Sequence, residues 1–104
     1  MPRPLSHPDI RDVELVDVLA ALSDPVRLEI VRTADDSPGP LPCNAFFEAI
    51  PRSTLSHHWK ILRDSGLIWQ ETKGTTRLNS VRRVEMDERF PGLLDAVLAA
   101  AVDR

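Results

Sequence analysis

Residues 51–67 read Pro51-Arg52-Ser53-Thr54-Leu55-Ser56-His57-His58-Trp59-Lys60-Ile61-Leu62-Arg63-Asp64-Ser65-Gly66-Leu67. Leu55, Trp59 and Leu62 recur at i, i+4 and i+7, the spacing of a buried helical stripe. Gly66 supplies a left-handed cap, so the spacing predicts a helix over 51–65. The opposite face carries Ser53, Ser56, His57 and Lys60, with Arg52 and Thr54 at the start. Small hydroxyls, an imidazole and cations are the side chains that bond base edges and phosphates. A helix N-terminus adds a partial positive charge that suits phosphate.

On the N-terminal side, Asn44 to Ile50 carries Phe46, Phe47 and Ile50 and reads as a short helix, joined to the longer one by the tight turn Pro51-Arg52-Ser53-Thr54. A short helix, a tight turn and a longer helix make a helix-turn-helix unit. On the C-terminal side, Leu67–Thr72 and Arg77–Val81 are short β-like runs around Lys73-Gly74-Thr75-Thr76, where Gly74 suits a hairpin turn. A hairpin in that place predicts a mainly α winged helix-turn-helix fold, about five helices with a two-stranded β wing over 67–81. Lys73, Thr75 and Arg77 on the wing join the candidate DNA contacts.

Residues 10–22 are helical in pattern, with Leu15, Val18, Leu19 and Leu22 as a stripe and Val13, Val16 and Ala20 beside it. That apolar surface exceeds the needs of one small core, so part of it is expected to face a second chain. Asp24 reads as the cap, and Pro25 as the first residue, of a helix running to about Thr33. Residues 35–42 hold three prolines and a glycine and read as a loop. Val84–Arg89 forms one helical turn or two. Pro91 opens a last helix with Leu94, Val97, Leu98 and Ala101 on one face.

The chain has 104 residues, room for one domain. Residues 1–8, with three prolines, read as a flexible arm, and 9–104 as a single winged-helix domain. Hydrophobic residues at 42% and charged residues at 28% exclude a disordered tail protein. No apolar run reaches the ~20 residues of a membrane span, and the start lacks a signal-peptide core. One cysteine excludes an internal disulfide, and a reducing cytoplasm is the expected compartment. The net charge of −3 is uneven: residues 52–83 sum to +5 and the remainder to −8. A polyanion responds to the local face, so a basic segment on an acidic body is compatible with DNA.

Two motifs carry a family resemblance. Leu22-Ser23-Asp24-Pro25-Val26-Arg27-Leu28-Glu29-Ile30 resembles the second-helix signature of the ArsR-type (arsenical-resistance repressor) winged-helix transcription factors, and Ser53 to Leu67 resembles their recognition-helix signature. Lys73-Gly74-Thr75-Thr76-Arg77 fits the wing, and the likeness covers about residues 13–82. The resemblance implies a homodimer, built from the first and last helices, that binds an imperfect palindrome of double-stranded DNA and represses transcription. Many members release DNA when a metal binds. One family metal site uses paired cysteines on the short third helix, where this chain has Cys43 alone. Another uses Asp and His pairs on the last helix, which here carries Asp95 and Asp103 and no histidine. No metal site, no cofactor and no metal response are therefore expected, and the sequence names no effector.

Blander readings stand beside these. Cys43 is either a redox-responsive thiol or a small apolar side chain near a helix start. His57 and His58 point about 100° apart and cannot readily chelate one ion; His57 is expected toward DNA, and His58 packed and hydrogen-bonded locally. Trp69 is either packed or stacked on bases. Arg82-Arg83 is a solvated pair or a phosphate contact. No nucleophile elbow, phosphate loop or metal dyad points to an enzyme. The rival from another class is a winged-helix protein-interaction module without sequence-specific DNA binding.

Overall fold

The computed structural model describes residues 3–46 and 51–102. Asp24 begins the helical layer as expected: its carboxylate accepts from the backbone N–H groups of Val26 and Arg27, and Pro25 takes the first helical position of α2 (Pro25–Asp36). Burial alone would raise the Asp24 carboxyl, but the Arg27 N–H bond and the Arg27 charge bring it below its usual value. α2 outruns the expected end at Thr33 by about a turn. It buries Ile30, Val31 and Ala34, and Pro38 follows the closing bond from Ser37 N–H to the Ala34 carbonyl.

The expected helix over 10–22 is two pieces, a 3-10 turn at Ile10–Asp12 and α1 at Leu15–Leu22. Asp9 accepts from the Arg11 N–H, offering the backbone an alternative to the helix. The extended Val13 then buries its side chain, and its carbonyl accepts from the Arg89 guanidinium at 2.8 and 3.0 Å. The break also turns the apolar stripe. Val18, Ala21 and Leu22 face the core, whereas Leu15 and Leu19 of the same stripe stay exposed with Val16.

α3 spans Arg52–Asp64 and buries Leu55, His58, Trp59 and Leu62. It ends in a Schellman motif: Gly66 N–H reaches the Arg63 carbonyl, Leu67 N–H reaches the Leu62 carbonyl, and both leucines are fully buried. Of the expected short helix over 44–50, residues Cys43–Ala45 form a 3-10 turn, and 47–50 lie outside the described residues. Phe46 meets the Trp59 ring edge-on at 5.1 Å, which ties this segment to α3.

The wing strands are β3 (Ile68–Lys73) and β4 (Thr76–Val81), paired antiparallel from Ile68↔Val81 to Lys73↔Thr76. Gly74 has φ +64 and Thr75 a negative φ, the pattern of a type II′ two-residue turn. Among the described residues the expected two-stranded sheet has four strands, in the order β1-β3-β4-β2. β1 is Arg3–Pro4, inside the arm expected to be flexible, and it pairs with Thr72 and Glu71. β2 is Leu41–Pro42, inside the segment expected to be loop, and it pairs with Asn79 and Leu78. Both strands are two residues long, too short to leave a periodic signal, and both satisfy wing edges that would otherwise expose donors and acceptors.

α4 (Arg83–Arg89) takes both of its possible turns. α5 spans Leu93–Val102 and starts two residues after Pro91, because Gly92 at φ +80 intervenes; Leu94 and Leu98 anchor it in the core. Among the described residues no helix is long and apolar enough to cross a membrane.

Candidate nucleic-acid interface

With its apolar stripe buried, α3 turns Arg52, Ser53, Thr54, Ser56, His57 and Lys60 to solvent. Lys73, Thr75 and Arg77 are exposed at the wing tip. Each nominated contact residue is thus at the surface, in a helix group and a wing group. Pro51 caps α3 without a side-chain hydrogen bond, and among the described residues the first-turn N–H groups of Arg52, Ser53 and Thr54 have no side-chain acceptor. That helix end offers donors and a positive dipole end to an anion.

The basic face is narrower than the sequence charge implies, because most cations are already engaged. Lys60 meets Asp64 at 2.7 Å, one turn along α3. Arg63 turns inward and donates to the Gln70 side chain at 2.7 Å. Arg82 is buried, forms a two-point pair with Glu85, donates to the Pro8 carbonyl and lies over Trp69. Arg83 joins Asp35, Asp87 and Asp95. Arg82 and Arg83 are therefore neither a solvated pair nor free for phosphate, since acids from neighbouring turns and helices hold them. Elsewhere Arg11, Arg27, Arg32 and Arg89 also have partners. Among the described residues, the cations left without an ion pair or hydrogen bond are Arg3, Arg52, Lys73 and Arg77.

His57 is exposed and His58 is buried, as their angular offset requires. The partner of His58 is not local: Arg27 of α2 donates to its Nδ1 at 3.1 Å, and Asp24 lies 3.8 Å away. Because a guanidinium only donates, Nδ1 is the acceptor and the ring seats α3 on α2. Trp69 is packed. His7 stacks on it at 3.9 Å and 11°, and the Trp69 indole Nε1–H donates to Glu71.

Sequence reasoning missed the polar joint that fixes the wing to α3. Gln70 and Asn79 are buried cross-strand partners. Gln70 accepts from Arg63 and donates to Asn79 at 2.6 Å; Asn79 donates to the Leu41 carbonyl and to the Cys43 sulfur. The joint links α3, β3, β4 and β2, so helix and wing keep a fixed relation. A polar residue inside a strand at the buried alternation of Ile68 and Gln70 was the available signal. Cys43 is half-buried and serves this joint as an acceptor. Among the described residues no group of three or more His, Cys, Asp or Glu side chains is placed to hold a metal ion.

Residues 22–70 match the helix-turn-helix domain family. The chain is similar to an uncharacterized HTH-type transcriptional regulator, YceK, of Bacillus subtilis (strain 168). The two are 34% identical over 82 residues, which cover 77% of this chain and 82% of the relative.

Proposed function

The chain belongs to the helix-turn-helix transcriptional regulators, and on that footing we propose that it is a homodimeric repressor binding an imperfect palindrome in duplex DNA. The resemblance to the ArsR type supports the dimer and the palindrome. As a transcription regulator it is not an enzyme. α3 enters the major groove, where Ser56 and His57 face base edges and set sequence choice. Arg52, Ser53 and Thr54 meet phosphate at the helix start, with Lys60 along it. Lys73, Thr75 and Arg77 bring the wing to the backbone. The dimer forms through α1 and α5, with Leu15, Val16 and Leu19 as its apolar contribution. Two α3 helices then occupy successive major grooves about 34 Å apart.

The observation that carries this reading is the selective quenching of charge. In a chain of net charge −3, the cations without a partner among the described residues include one at the start of α3 and two at the wing tip, beside first-turn helix N–H groups that have no side-chain acceptor among those residues.

Selection of bound sequences from a random duplex pool, followed by shift assays at low and moderate salt, tests it. An enriched pair of half-sites about one helical turn apart is expected. Absence of binding at every salt concentration would favour the protein-interaction module.

A further inference from the structure

We propose that the N-terminal segment is a third strand of the wing and that Arg3 is a contact to the DNA phosphate backbone. The proposal rests on the DNA-binding reading above and extends it to a residue outside both motifs.

The register supplies the placement. Arg3 pairs with Thr72, and Thr72 pairs with Arg77. Directly paired residues of an antiparallel ladder project to the same face. Arg3, Thr72 and Arg77 therefore form one row across three strands, with the two arginine Cα atoms about 10 Å apart. Strand residues alternate between faces, so this row shares its face with Gln70, whose side chain meets Arg63 of α3. The row lies next to the Gly74-Thr75 tip and on the side of the sheet that carries α3.

The charges agree with the register. Arg3 is exposed and has no partner among the described residues, like Lys73 and Arg77. Glu71 is the one acid of the two hairpin strands. It alternates to the opposite face, where it accepts from Trp69. Nothing acidic on the wing opposes an anion at the Arg3 row.

The strand is also fastened, so Arg3 is presented rather than merely tethered. Leu5 N–H donates to the Gln70 carbonyl at 3.0 Å, and the Thr72 hydroxyl donates to the Arg3 carbonyl at 3.3 Å. Beyond the two-residue ladder, His7 Nε2 accepts from Gln70 N–H at 2.8 Å while its ring stacks on Trp69. An imidazole thus takes the place of the next carbonyl in the ladder and latches the segment. Fixing the backbone beforehand lowers the ordering cost of the contact.

The experiment is the salt dependence of duplex affinity for the full chain and for Arg3→Ala, Arg77→Ala, His7→Ala and Arg3→Ala/His7→Ala, on the selected operator and on random duplex. Arg3→Ala should lower the slope of log K against log salt by about one unit per protomer, as Arg77→Ala does, with sequence preference and Trp69 fluorescence unchanged. Arg3→Lys should restore the slope. His7→Ala should change Trp69 fluorescence and lose the same slope, and the double variant should lose no more. A wild-type slope in Arg3→Ala beside a reduced slope in Arg77→Ala overturns the proposal and leaves the DNA reading standing. An Arg3→Ala effect that persists undiminished in the His7→Ala background overturns the latched third strand. A wild-type chain that binds no duplex at low salt overturns the functional reading and this proposal with it.

Discussion

Gly66 is the residue where local and tertiary demands coincide. Its φ of +84 suits the Schellman turn after α3, and a Cβ there would lie 2.6 Å from Val13 Cγ2. Gly66→Ala combines left-handed strain with a clash against a buried valine and should destabilise by about 2–4 kcal/mol, read by chemical denaturation. The cap was legible in the sequence because it is local. The Val13 approach was not, since it joins residues 53 apart. His7 gives a second test at this scale. Burial holds its imidazole below the usual 6.5, outweighing the Leu5 carbonyl and Glu71, with Arg82 and Arg63 adding to the depression. The unfolded chain then takes up the proton first as pH falls through about 6.5, so stability declines on acidification. Denaturation midpoints should drop more for wild type than for His7→Gln between about pH 7.5 and 5.5. Equal drops would assign the loss to other groups.

At the level of elements, α3 and the wing divide the work. Lys60 is paired with Asp64 at 2.7 Å, so Asp64→Asn should raise affinity for every duplex at low salt, with the gain fading as salt screens it. Arg77→Ala should weaken all duplexes alike; a changed sequence preference would show the wing reading bases. α3 and the hairpin were legible because helical stripes, a glycine cap and a two-residue turn are encoded over a few residues. The inward turn of Arg63, Arg82 and Arg83 was not, because its cause lies in partners on other elements: Gln70, Pro8, Asp35 and Asp95. The edge strands were hidden for a different reason, their pairing being fixed by the neighbour they meet and not by their own pattern.

For the whole molecule, the exposed apolar row of α1 is the feature to test. Leu15, Val16 and Leu19 are 45%, 67% and 44% exposed. Val16→Glu should convert a dimer at micromolar concentration into a monomer with the fold retained, and abolish preference for a paired half-site. A wild-type mass of one chain would remove both the dimer and the palindrome. Composition showed surplus apolar surface, but which residues carry it depended on the break at Val13. Zinc, cadmium, nickel, copper and arsenite should leave the protein–operator complex intact in titrations with and without chelator; release surviving Cys43→Ser would reveal a histidine–carboxylate site. The margins of the sheet have a consequence for solubility. Both outermost strands are two residues long and end in proline, Pro4 on one side and Pro42 on the other. Proline offers no N–H to an approaching strand. Crowded copies of this chain therefore meet blunt margins instead of templates for cross-chain fibrils, and replacing both prolines with valine should hasten aggregation on prolonged warming.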